Sequence, residues 1–331
     1  MEIRYPVYFD EFSCIAGACP DSCCKEWEVA IDADTAQRYI QWPGRLGEDL
    51  RRQMYQEEGV WYFRNVDGRC PMWRADGLCR IQAGHGHDAL SHTCREFPRL
   101  THDFGDFQEW GLELSCPEAA RLILASTGAW TTKHLPDGPE GDYDGEAMDS
   151  LLATRETARA LLQGSEPVNE ALAKLLIFGY HAQSQLDGAE AVYFDGEKAL
   201  EDARNFARNG DLPGLLAFFG ELEMLSEDWA ARLAAPDPAP WQEAHRRIAR
   251  YFVERYWLQA VADYDLVSRV KLAVVSTLVI RTLGGDLLQT AQRYSKEIEN
   301  SADNVDAILD GAYAHPALTD EKLLHLLLVG G

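Results

Sequence analysis

Cysteine placement is the strongest constraint in this chain. All eight cysteines, Cys14, Cys19, Cys23, Cys24, Cys70, Cys79, Cys94 and Cys116, precede residue 117, and the following 215 residues have none. Four of them fall within Cys14-Ile-Ala-Gly-Ala-Cys19-Pro-Asp-Ser-Cys23-Cys24. A core that used cysteine merely as a small hydrophobe would scatter it. Confinement to one segment means that these sulfurs act together, as disulfides, as a metal or iron–sulfur site, or as reactive thiols. Disulfides need an oxidising compartment. The opening Met-Glu-Ile-Arg-Tyr-Pro-Val-Tyr-Phe-Asp has no apolar stretch and no small-residue cleavage site, so it does not read as a secretory leader. No run approaches the roughly 18 apolar residues of a membrane span. The expected compartment is the cytoplasm, where thiols stay reduced and a cysteine cluster reads as metal-binding.

The gaps between successive cysteines are 4, 3, 0, 45, 8, 14 and 21 residues. Structural zinc sites repeat a short Cys-x2–4-Cys knuckle. The first gaps approach that spacing, but the later ones are too open for a ribbon or finger. Iron–sulfur clusters accept looser spacing and a distant last ligand. Eight thiols supply two four-ligand sites, or one site and four spectators. The Cys-x3-Cys-x2-Cys motif of radical S-adenosylmethionine enzymes is absent, because Glu26 stands where its third cysteine would be.

Local signals refine the picture. Asp76-Gly77 is a turn signal between Cys70 and Cys79 and lets the two thiols converge. His85 and His87, in Gly84-His-Gly-His-Asp88, are possible further ligands, against an exposed glycine-rich loop. Arg95 and Arg99 flank Cys94 and would favour its thiolate, unless they are simply surface ion pairs. Pro117 is suited to the first position of a helix, which puts Cys116 at a positive dipole end. The aromatic residues of 1–12 are expected to pack over the thiols. The alternation in 27–32 predicts a strand, with Asp34 capping a helix over 35–42. A further helix is expected over 46–57 and a strand over 60–66.

Residues 127–147 are rich in Gly, Pro and Asp and read as a linker. Beyond them the periodicity predicts helices over 148–163, 168–185, 197–208, 212–225, 241–264, 266–283, 287–300, 302–313 and 319–328, with 266–283 central and buried. The expected fold is mainly α: an α+β cysteine-rich segment, 1–126, then an all-helical domain, 148–331. No glycine-rich nucleotide fingerprint follows a strand. Tyr251, Tyr256, Trp257 and Tyr264 read as core aromatics. Arg255, Arg269 and Arg281 interrupt apolar helices and should pair with carboxylates, or one should hold a substrate's carboxylate. A formal net charge of -23 excludes nucleic acid as the partner and is compatible with a lysine-bearing protein.

Several stretches together carry a family resemblance. Cys14-Ile-x-x-x-Cys19-x-x-x-Cys23-Cys24-x-x-Trp27, Ile31-Asp32, Cys70-Pro71, Leu78-Cys79-x-Ile81, Cys94-x-x-Phe97-Pro98-Arg99 and Ser115-Cys116-Pro117-Glu118 resemble the flagellin lysine-N-methylases. So does Arg293-Tyr-Ser-Lys-Glu-Ile-Glu-Asn300. The stretch from Cys19 to Cys94 also resembles small zinc- or iron-chelating domains. The resemblance implies methyl transfer from S-adenosylmethionine to flagellin lysines, with a cluster held by ligands among the eight cysteines. The expected centre is [4Fe–4S], with zinc as the alternative. Other functions compatible with the same thiols are a metal-stabilised protein-binding module and a redox sensor. The general base is unassigned. Glu113, Glu118, Glu297 and Glu299 are candidates, each more simply read as a helix-surface carboxylate.

Overall fold

A computed structural model describes residues 1–136 and 138–329. At 56% helix and 11% strand it is mainly α, as expected. The strands are β1 (Glu2–Pro6), β2 (Ala30–Ile31), β3 (Met54–Glu57), β4 (Val60–Phe63), β5 (Arg99–Asp103), β6 (Phe107–Leu112) and β7 (Trp130–His134). They form two sheets, ordered β5-β6-β1-β7 and β2-β4-β3. The first five helices are α1 (Ala33–Gln41), α2 (Gly44–Gln53), α3 (Arg80–His85), α4 (His92–Glu96) and α5 (Pro117–Ala125). The helical half follows as α6 (Gly145–Leu161), α7 (Val168–Leu186), α8 (Gly196–Phe206), α9 (Leu212–Glu221) and α10 (Glu227–Ala234). It ends with α11 (Glu243–Tyr256), α12 (Leu266–Leu283), α13 (Leu287–Ile298), α14 (Ala302–Ala314) and α15 (Asp320–Leu328).

Helix α12 has the bounds its sequence predicts, and every residue in it except Arg281 is buried. A helix that is apolar on all sides belongs in the centre. Its one buried lysine, Lys271, donates to the carbonyls of Ala312 (2.7 Å) and Leu318 (3.2 Å) and pairs with Asp320 at 3.0 Å. Two separate cores result. The smaller is built within the cysteine-rich segment around Ile31, Tyr39, Leu50, Met72 and Ile81. The larger runs from Ile3 to Leu327.

The structure corrects several local expectations. The aromatics Tyr5, Tyr8, Phe9 and Phe12 join the larger core, against which only Cys116 of the thiols packs, while Cys24, Cys70, Cys79 and Cys94 belong to the smaller one. They enter it because β1 is inserted between β6, to which it is parallel, and β7, to which it is antiparallel. The region read as a linker therefore contains β7. Asp137, also read as linker, lies outside the described residues. Asp32, not Asp34, caps α1: its Oδ2 accepts from Thr35 N at 3.0 Å and its Oδ1 from His92 N at 2.7 Å. One carboxylate thus fixes the starts of both α1 and α4. The expected helix over 46–57 stops at Gln53, and 54–57 turns back on β4 through Glu58 and Gly59. Both have positive φ, the signature of a two-residue hairpin turn. Of the expected strand 27–32 only Ala30–Ile31 is strand, with the Val29 carbonyl accepting from Phe63 N at 3.1 Å beside it.

Candidate metal centre

The cysteine segment is held shut by backbone pairing. Cys70 N donates to Cys24 O at 2.8 Å, and Trp27 Nε1 donates to Cys23 O at 2.8 Å. Gly77 (φ 80°) allows the tight turn that brings Trp73 opposite Cys79, as the Asp76-Gly77 signal predicts. Cys79 and Cys116 stand at the N-termini of α3 and α5. All eight cysteines are free thiols; Cys14 and Cys23 are exposed and Cys70 is buried.

The thiols are electrostatic neighbours in two overlapping sets. Cys116 faces Cys19 and Cys14, and Cys19 faces Cys14 and Cys23. Cys23 donates to Cys24, and Cys24 donates to Cys70. Cys79 and Cys94 both face Cys23. Among the described residues, no three His, Cys, Asp or Glu side chains stand in a preformed ion-holding arrangement.

The crowding acts against thiolates. The hydrogen bond to Cys24 is the main cause that holds the Cys23 thiol well above its ordinary pKa. Burial pushes Cys94 up to about 12, with Cys23 and Cys79 adding to the rise and Ser91 opposing it. Of the two readings for Arg95, the ion pair is the one found: it pairs with Glu96 at 3.2 Å. Arg99 lies over the Phe12 ring at 5.1 Å. Burial also raises Cys116, to about 11, and the amides of Ala119 and Glu118 only partly offset it. The helix dipole loses there to desolvation. His85 and His87 are exposed, and His85 packs edge-on against Trp42.

A helix from the other half closes over this segment. In α13, Lys296 Nζ meets Asp21 Oδ2 at 3.0 Å, Glu26 Oε2 at 3.1 Å and Ser22 O at 3.4 Å. Arg293 pairs with Glu26 at 2.5 Å, and Gln292 Nε2 donates to Asp21 (3.1 Å) and to Ser115 O (2.8 Å). Burial works against ionised Asp21, yet Lys296 holds its carboxyl down at about 2.

A second polar cluster lies in the larger core. Arg255 pairs with Glu299 (3.1 Å) and Glu113 (3.3 Å), and Glu299 also accepts from Tyr251 (3.1 Å) and Tyr256 (3.0 Å). Of the four candidate carboxylates, Glu118 is half-buried on α5 and pairs with the exposed Arg121 at 2.7 Å. Glu297 and Glu299 are buried, and burial raises the pKa of Glu113 against the pull of Arg255. Beside them is a cavity lined by Tyr8, His102, Glu109, Trp130, Glu254 and Arg255. Glu109 is held by a bidentate Arg155 at 2.5 and 2.7 Å. Nothing in the sequence reading singled out His102, Glu109 or Arg155. The one available signal was that Phe107 and Glu109 share a strand face. Tyr251, Tyr256 and Trp257 are core residues, whereas Tyr264 is exposed and bonds Asp144. Arg269 pairs with Asp263, but Arg281 bonds the Ala239 carbonyl.

No family model and no solved structure matches the chain. Over 129 residues it is 34% identical to the flagellar biosynthetic protein FliU of Salmonella muenchen, covering 37% of this chain and 76% of that relative. Over the same length it is 34% identical to proteins named lysine-N-methylase from Salmonella typhimurium and Salmonella choleraesuis. There the match spans about a third of the relative, 32%. The chain therefore belongs to the family of the flagellar protein FliU and the lysine-N-methylases.

Proposed function

We propose that this protein is an S-adenosylmethionine-dependent lysine N-methyltransferase acting on flagellin, and that its cysteine segment binds a [4Fe–4S] cluster. The observation that carries the methyl-transfer reading is the 34% identity to proteins named lysine-N-methylase. An all-sulfur donor set suits iron–sulfur or zinc and suits hard cations poorly. The thiols fit such a group chemically. Crowded sulfurs that stay protonated without a cation would release those protons to bind one. Cys23, Cys24, Cys70, Cys79 and Cys94 offer more than the four thiolates a cluster takes, and Cys14, Cys19 and Cys116 are the remaining candidates. When bound, the cluster would supply a structural staple, a redox centre or an open iron for a ligand's carboxylate and amine. Direct methyl displacement needs only a close, aligned donor and a deprotonated lysine amine. Lys296 would hold the segment in place from α13, and a half-buried carboxylate such as Glu113 has the raised pKa that suits a base.

The test is anaerobic purification followed by iron and acid-labile sulfide analysis, then a methyl-transfer assay on flagellin read by mass. Iron with matching sulfide and methylated lysine are the expected results. Zinc without sulfide would replace the cluster by a structural site. Absence of transfer by cluster-loaded protein would overturn the enzyme.

A further inference from the structure

We propose that the cleft between the cysteine loop and α13 binds the α-amino-acid head of a small ligand, with its carboxylate on Arg232 and Arg293 and its ammonium on Asp21. If the methyl-transfer reading holds, on which the ligand's identity rests, this head is the methionine end of the donor. The cavity measures about 270 Å³ and is lined by Asp21, Lys25, Arg232, Gln289, Gln292 and Arg293. That is just under the usual small-molecule range of about 300–1,000 Å³.

Its charge pattern is the reverse of the chain's. The protein carries 54 acidic against 31 basic residues, yet this cavity shows three cations and one carboxylate. Each arginine is anchored from outside the cavity and retains free donors. Arg293 is fixed to Glu26 through Nη1, and Arg232 to Asp228 through Nε at 2.9 Å. Among the described residues, Arg293 Nε and Nη2 and Arg232 Nη2 have no hydrogen-bond partner. Anchored guanidinium forks with open donors are suited to a carboxylate. Asp21 adds a carboxylate acceptor, placed by Lys25 at 3.3 Å and Lys296 at 3.0 Å. With Lys25 already paired to Asp21, the two arginines beside that carboxylate, at the scale of a small zwitterion, match an α-amino acid better than a phosphate, which Asp21 would repel. Pro20 and Pro117 also line the cavity, directly after Cys19 and Cys116, so the rest of the ligand would lie beside the thiols.

Calorimetry on the purified, metal-loaded protein tests this with three probes: S-adenosylhomocysteine, L-methionine, and 5′-methylthioadenosine, which lacks the amino-acid head. The variants are Arg232→Gln and Arg293→Lys, with melting curves to confirm folding. The expected result is S-adenosylhomocysteine binding weakened by about tenfold or more in Arg232→Gln, the loss of one charge-assisted hydrogen bond, with methylthioadenosine binding unchanged. Equal binding by wild type and both folded variants would overturn the cleft assignment and leave the methyl-transfer reading standing. Arg232-dependent binding of methionine without S-adenosylhomocysteine binding would uphold the cleft and remove that reading. No binding of any probe would remove both.

Discussion

Replacing Lys296 by Met should release the cysteine loop from α13. The ammonium is almost wholly buried, at 3% side-chain exposure, and contacts two carboxylates and a carbonyl. Removing one partner of a buried pair costs about 3–5 kcal/mol. Here Asp21 and Glu26 are partly open to water, at 15% and 22%, and each keeps a second cation, Lys25 at 3.3 Å and Arg293 at 2.5 Å. The expected cost therefore falls at or below the low end of that range, about 2–3 kcal/mol in urea denaturation, or a melting-temperature loss of roughly 3–4 °C for a chain of this length. A double-mutant cycle with Asp21→Asn should return a coupling of about 1–2 kcal/mol. Amide exchange should quicken across residues 19–27 and stay slow in α12. A cost below about 0.5 kcal/mol, typical of an indifferent surface change, would refute the view that this lysine fastens the two parts.

Three further outcomes are expected. Glu109→Gln should cost about 3–5 kcal/mol by leaving Arg155 charged and unpaired, while Glu109→Leu with Arg155→Met should restore most of that loss; equal unfolding curves for the single and double variants would contradict it. His245 is fully buried, its Nδ1 accepts from Gln242 N at 2.9 Å, and burial depresses its pKa to about 4. It is neutral in the fold, so the stability it contributes is present above about pH 6.5 and is lost as pH falls toward 4, by roughly 3 kcal/mol at most. His245→Asn should flatten that slope in a pH series of melts. Cys79→Ser should abolish metal binding and destabilise the cysteine-rich segment, which metal analysis and thermal melts would show; wild-type metal content would count against the site.

What the sequence made legible was set by short-range chemistry. Pro117 starts α5 and the apolar run 266–283 is α12, because a fixed φ and an all-round apolar surface act locally. The Cys70–Cys79 turn was readable for the same reason. The misses depend on distant partners. Asp32 outcompetes Asp34 as a cap because it also binds His92 N, sixty residues away. β1 looked like a lid because its pairing with β6 spans about a hundred residues and leaves no local trace. β5 and β6, by contrast, form a local hairpin that turns at Gly105, a signal the sequence carried and the reading passed over. The thiol environment was misjudged for Cys94 and Cys116, since desolvation is a property of the packed state. The signature in α13 was visible as a motif, but its contact with Asp21 and Glu26 was not.

The placement of β1 has a consequence for biosynthesis. Its partners are Phe107–Leu112 and Trp130–His134, so a nascent chain cannot seat its first strand until residue 134 has emerged. By then every cysteine has been synthesised. Ring closure between Glu2 and Phe107 is sustained by the sheet and the larger core, not by the sulfurs. Loading of the proposed cluster could therefore follow assembly of the sheet, and a chain without it would keep its β1–β6 clasp while the excursion between them loosens.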